Sequence, residues 1–195
     1  MNLLIKNVLL HDSIQDIFIQ KGLIDSIGQN LNCEAENVLD GTDKVAIPSF
    51  VNAHTHSAMT LMRSYADDME LHDWLENKIW PFEKNISEQD VYWATRLAII
   101  EMIKSGTTYF NDMYWHYPGT AQAVIDSGIH AHLSSAFIDL GDEETSKKQI
   151  EEQVKLFENR DQFSPNVTFS LGAHSLYTVL ESGLFWLRDF ANEHT

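Results

Sequence analysis

Ile47-Pro48-Ser49-Phe50-Val51-Asn52-Ala53-His54-Thr55-His56 is the stretch on which the fold turns. Its apolar part reads as the end of a buried strand and runs straight into two histidines two residues apart. Side chains at i and i+2 of a strand share a face, so His54 and His56 can aim both imidazoles at one ion. Imidazole suits zinc, iron or nickel. Two unrelated surface histidines are the plainer reading, and the apolar lead-in speaks against it. His130-Ala131-His132 has the same spacing but follows Gly128-Ile129 at the start of a strand. That pair is read as structural, because the catalytic groups of a parallel α/β barrel sit at the C-terminal ends of its strands.

Downstream, strands and helices alternate. A helical stretch after His56 is expected to break at Pro81. Ser87 with Asp90 three residues on marks the next helix start as a capping-box variant. The periodic Trp93, Leu97, Ile100 and Ile103 carry that helix to Gly106, a left-handed stop. Strands follow at Thr107–Phe110, Ile129–Phe137 and Val167–Leu171, with helices at Ala121–Ser127, Glu143–Asn159 and from Ser182 on. Four strand–helix units in series predict a parallel sheet with helices outside it, either an open doubly wound sheet or part of a (βα)8 barrel. A (βα)8 barrel takes about 250 residues, so the expectation is the first half of one, residues 49–195, ending after the fourth unit. Upstream, residues 1–48 read as short strands of a small β-sandwich. A hairpin turns near Lys21-Gly22, and Asp40-Gly41 with Thr42-Asp43 form a further turn.

Composition bounds the function. The 195 residues carry a net charge of −16, with only 13 Lys and Arg, too few for a groove that tracks phosphates. Nucleic-acid binding is therefore not expected. No apolar run has the length of a membrane span, and the start has no secretory pattern. A single cysteine, Cys33, cannot form an internal disulfide, which suits a reducing cytoplasm.

Further polar groups stand at strand ends: Asn111-Asp112 and His116 after the second strand, His174-Ser175 after the fourth. Each alone is an ordinary loop residue, and the shared location raises their joint weight. Glu83, on the aromatic segment Trp80-Pro81-Phe82, reads from the residues alone as a surface carboxylate. A catalytic zinc normally has three protein ligands and a water. Spacing supplies two, and leaves open whether Asp112, His116 or His174 adds another.

The stretch quoted at the outset resembles the signature of the amidohydrolase superfamily. Ala58-Met59-Thr60-Leu61-Met62-Arg63, Trp74-Leu75, Trp80-Pro81-Phe82-Glu83, Asn111-Asp112-Met113-Tyr114 and Gly172-Ala173-His174-Ser175-Leu176-Tyr177-Thr178 narrow the resemblance. Together they are similar to the methylthioadenosine/S-adenosylhomocysteine deaminases and their chlorohydrolase relatives. The resemblance implies a hydrolase in which one divalent metal, zinc first and iron second, activates water for attack on the adenine ring. It implies His54 and His56 as metal ligands, Glu83 as the carboxylate that binds the nucleoside ribose, and His174 as a substrate contact. It places the remaining ligands and the general acid/base beyond Thr195, so this chain alone is expected to be inactive. Arginines that grip a homocysteine carboxylate in the family have no counterpart here, where Ser134-Ser135 stands, followed by Lys147 and Lys148. The partner expected is a small nucleoside or heterocyclic amine, with self-association left open. Two alternatives stay open: a chlorohydrolase or a guanine- or cytosine-type deaminase of the same superfamily, and a non-catalytic half barrel.

Overall fold

Lys21 and Gly22 both hold positive φ, 53° and 79°, and so make the two-residue turn that matches the twist of a β-hairpin. They join β2 (Ser13–Gln20) to β3 (Leu23–Gly28), with Gln20 opposite Leu23. β1 (Asn2–Leu10) lies antiparallel on the other side of β2, and β4 (Asn37–Asp40) and β5 (Val45–Ala46) run parallel to β1. The computed structural model describes residues 2–194, in two compact units, Met1–Ser49 and Phe50–Thr195. In the first unit Leu4, Val8, Ile17 and Phe18 are buried. The buried Asp16 carboxylate accepts hydrogen bonds from the Asn7 and Leu31 amides at 2.9 Å each. Gly41 sits where a Cβ would lie 2.7 Å from the Val8 Cβ, so only glycine lets the chain pass β1 at that turn.

The second unit is a parallel four-stranded sheet in the order β6 (Phe50–Thr55), β7 (Thr107–Tyr114), β8 (His130–Phe137), β9 (Val167–Ala173). After β6 come a 3-10 segment (Ser57–Met62), α1 (Leu71–Trp74), a π-helical turn (Leu75–Ile79), α2 (Trp80–Glu83) and the long α3 (Glu88–Lys104). α4 (Tyr117–Ser127) follows β7, α5 (Glu143–Glu158) follows β8, and α6 (Glu181–His194) follows β9. The helices bury one face on the sheet. Ile99, Val124, Phe110 and Leu133 are almost wholly buried in the cluster between α3, α4 and the central strands. No helix among the described residues is long and apolar enough to cross a membrane.

The start and stop signals of α3 hold as read. The Ser87 side chain caps the Asp90 amide, Asp90 returns a bond to the Ser87 amide, and Gly106 is left-handed at φ 87°. Three expectations need correction. Pro81 does not break its helix: it sits in the first turn of α2, directly after the π turn. That wider turn absorbs the missing N–H and the ring that would strike an ordinary α-turn. α4 begins at Tyr117, four residues before the expected Ala121, because Pro118 belongs to its first turn, where proline is tolerated. β6 is not buried: Phe50 and Val51 are 56% and 62% exposed, since β6 is the edge of the sheet and pairs only with β7.

Candidate functional site

The C-terminal ends of the parallel strands gather the polar groups. β6 delivers His54 and, one residue past its end, His56. Their rings meet edge to face, with centroids 5.1 Å apart and planes at 83°. A bulge between Asn52 and Thr55 shifts the register against β7 at this point, which re-aims the strand end. His56 Nδ1 lies 2.7 Å from the Met113 carbonyl oxygen. A carbonyl can only accept, so Nδ1 carries the proton and Nε2 is left with a free lone pair. This is the arrangement that fixes the tautomer of a metal-ligating imidazole.

The residue after His56 is anchored just as firmly. The Ser57 amide donates to Asp112 Oδ1 at 2.8 Å and its hydroxyl to Asp112 Oδ2 at 2.7 Å, with Thr95 Oγ1 3.2 Å from the same hydroxyl. Asp112 is 2% exposed. Burial pushes its carboxyl above the usual range, and the two bonds from Ser57 oppose that shift. Asp112 therefore faces the helix layer and tethers the histidine-bearing strand, rather than reaching for a shared ion. His116 is also set apart: it is exposed, with Nε2 3.1 Å from the Ile86 carbonyl.

Glu83 corrects its reading as a surface residue. It is half-buried, and its carboxylate accepts from the Tyr114 hydroxyl at 2.8 Å and from Trp115 Nε1 at 3.1 Å. Burial, and then the Glu83 charge, push the Tyr114 phenol well above its ordinary range, so it stays a donor. His174, just past β9, sets Nδ1 2.9 Å from Thr178 Oγ1, which lies 2.7 Å from Ser175 Oγ. Burial, opposed by the charge of Glu83, holds its imidazole below the usual pKa. His56, Glu83 and His174 line one cavity of about 190 Å³, walled by Met59, Trp80 and Trp115 among others. Met113, whose backbone carbonyl holds His56, and Tyr114 entered the sequence reading only within the Asn111-Asp112-Met113-Tyr114 motif, with no role attached, and Trp115 did not enter it. Among the described residues no group of three or more His, Cys, Asp or Glu side chains is placed to hold a metal. His130 and His132 begin β8, at the opposite end of the sheet from His174.

Residues 45–195 match the Amidohydrolase family. The chain belongs to that family. The chain is 43% identical over 200 residues to a 5-methylthioadenosine/S-adenosylhomocysteine deaminase of Thermococcus sibiricus, covering 99% of this chain and 47% of the relative. It is 42% identical over 199 residues to a 5'-deoxyadenosine deaminase of Methanocaldococcus jannaschii, covering 98% and 46%. This amidohydrolase chain thus spans about half the length of the curated relatives it matches. Among solved structures, an adenosine deaminase from Xanthomonas campestris with bound zinc superposes with a TM-score of 0.86 at 26% identity, over 98% of this chain and 47% of that one. A guanine deaminase from C. acetobutylicum superposes at 0.79 over 98% and 49%, and at 18% identity shows the fold alone. The four βα units are thus a partial (βα)8 barrel, matching amidohydrolase structures over about half of their length.

Proposed function

We propose that the protein carrying this chain hydrolyses the amino group from the adenine ring of a nucleoside, with His54 and His56 as two ligands of one divalent metal, zinc first and iron second. The observation that carries the reading is the shared cavity of His56, Glu83 and His174, with the His56 Nδ1 proton pinned to the Met113 carbonyl and Nε2 free. The donor set fits such an ion in part. Two neighbouring imidazoles are present, one with a fixed tautomer, and further ligands are needed to complete the three that a catalytic site uses. When bound there, the metal supplies Lewis acidity and lowers the pKa of water.

The chain's own residues position the substrate. Glu83, held by Tyr114 and Trp115, is an oriented acceptor for a vicinal diol such as that of ribose. His174, braced by Thr178, offers its second ring nitrogen to the heterocycle. Trp80 and Trp115 give the cavity aromatic walls against which a purine can pack. None of these residues is assigned the proton transfers.

The test is ammonia release from 5'-deoxyadenosine, adenosine and 5'-methylthioadenosine by the full-length protein, with zinc content measured alongside. We expect an inosine-type product from at least one of them. His54→Ala and His56→Ala are each expected to lose both turnover and zinc, and Glu83→Gln to raise KM with zinc retained. A protein that holds zinc through His54 and His56 but releases no ammonia from any adenine nucleoside would overturn the reaction. Zinc content unchanged in both histidine variants would overturn the ligand assignment.

A further inference from the structure

The loops that follow β8 and β9 are tied together at one buried carboxylate, Asp139, which is 2% exposed. Its side chain accepts from the Leu180 amide with both oxygens, at 3.0 and 3.1 Å, and from the Gly141 amide at 3.1 Å. Its own amide donates to the Thr178 carbonyl at 3.0 Å, and the Leu140 amide donates to the same carbonyl at 3.1 Å. Leu180 directly precedes α6, and the Leu184 amide closes the first turn on its carbonyl. A carboxylate at that end of a helix is favoured by the dipole, and amide bonds to a charged acceptor are among the strong ones.

What this clamp holds is the segment that presents His174. The His174 amide donates to the Phe137 carbonyl at 3.2 Å, so the segment is tied to the β8 loop at its start as well as at Thr178 and Leu180. Packing does not hold its tip, since Leu176 and Tyr177 are 85% and 73% exposed. Thr178, between them and α6, is 4% exposed and faces both ways. Its carbonyl takes the Asp139 and Leu140 amides, and its Oγ1 stands 2.9 Å from His174 Nδ1. The His174 ring is itself exposed, which leaves that single bond to fix its orientation. Asp139 makes no hydrogen bond to the ring among the described residues, so its influence passes through Thr178.

We propose that Asp139 is a positioning residue for substrate binding: by pinning the main chain at Thr178 and Leu180 it sets the orientation of the His174 ring. The proposal rests on the reading of His174 as a substrate contact. A side chain that meets substrate needs its rotamer held by supporting bonds of this kind. The plainer role is a helix cap that only stabilises the fold. The two roles differ in one respect. A cap acts in the same way whatever stands at position 174, whereas a positioning residue has nothing left to position once that ring is gone.

The experiment is a double-mutant cycle on the full-length protein. Asp139→Ala and Asp139→Asn are made alone and combined with His174→Ala, and Thr178→Val is made alone. The dissociation constant of 5'-methylthioadenosine is measured by calorimetry on zinc-depleted protein, where no turnover consumes it. KM, kcat, zinc content and urea midpoint are measured on the zinc-loaded protein. Asp139→Ala is expected to raise the dissociation constant and KM by roughly fivefold or more with zinc content unchanged, and by less than about twofold when His174 is already Ala. Asp139→Asn, which keeps one oxygen, is expected to show the same coupling at smaller size, and it carries the test if the Ala variant does not fold. Thr178→Val keeps its carbonyl and loses Oγ1, and is expected to weaken binding as Asp139→Ala does. An equal fold-loss with and without the His174 ring would reduce Asp139 to a cap, and so would parental binding in both Asp139 variants. Parental binding in Thr178→Val would overturn the route through Thr178. His174→Ala binding as tightly as the parent would overturn the reading of His174 and this proposal with it. The expected coupling in binding without turnover of the nucleoside would overturn the reaction alone and leave Asp139 assigned.

Discussion

At the scale of single residues, the site depends on a reciprocal clamp between two neighbouring strands. Asp112 holds Ser57, the residue after His56, while the carbonyl of Met113, the residue after Asp112, holds the His56 ring. Asp112→Ala removes both anchors of Ser57 and leaves its amide buried without an acceptor, a cost of roughly 1–3 kcal/mol. Loosening an outer partner of a metal-bound histidine typically lowers metal affinity by about 10–100-fold. The expected outcome is therefore a lower urea midpoint together with weaker zinc binding in competition with a chromophoric chelator. Asp112→Asn, which keeps one acceptor, should recover part of both. An Ala variant matching the parent in midpoint and in zinc affinity would show that the clamp does nothing. This is also where the sequence was least readable. His54 and His56 announced themselves through strand spacing and an apolar lead-in. Asp112 looked like a candidate ligand because nothing in a linear pattern tells which side of a strand its side chain will take. The β6 bulge and the parallel register with β7 decide that, and both are properties of pairing between segments more than fifty residues apart.

At the scale of elements, local signals decided most of what the fold shows. Ser87 and Gly106 bracket α3, Gly128 ends α4 at φ 72°, and Lys21-Gly22 turns the hairpin. Each works through one or two residues and needs no distant partner. The errors fell where a local rule met a less common backbone: proline in the first turn of α4, and proline after a π turn in α2. α5 offers a test of a cap that was not singled out. The Asp142 carboxylate accepts from the Thr145 hydroxyl and amide, and these bonds hold its carboxyl below the usual range. A folded-state pKa below the unfolded one gives stability that is present above the unfolded value, about 4, and is lost as pH falls through the folded value. Amide exchange in the first turn of α5 should therefore accelerate, relative to the middle of the helix, as pH falls below about 4. In Asp142→Asn, whose amide oxygen still caps, the pH dependence should vanish while the cap persists. Equal acid sensitivity in the parent and the Asn variant would remove Asp142 as the cause.

At the scale of the whole molecule, the question is what covers the apolar surface that the second unit leaves in water. β6 has one paired side, and Phe50 and Val51 on it are exposed. Along α3, Trp93, Leu97, Ile100 and Ile103 recur at helical spacing and are all about half exposed or more, while the opposite face of the helix is buried in the core. This explains why α3 reads in sequence as periodic in those four residues and yet buries others. Both faces of the helix are apolar, and hydrophobic periodicity alone does not say which one meets the sheet. An unpaired strand edge and a contiguous apolar stripe both favour association. The Met1–Thr195 chain on its own is therefore expected to elute ahead of its 22.3 kDa mass at micromolar concentration and to bind a hydrophobic dye. Replacing Trp93 and Ile100 with Glu and Lys should shift elution toward the monomer. It should leave unfolding nearly unchanged, since exposed positions away from buried features tolerate substitution within about 0.5 kcal/mol. A parent chain that runs as a dye-silent monomer would mean that this stripe and edge are shielded in solution. A double variant that unfolds early would place those side chains in the core instead.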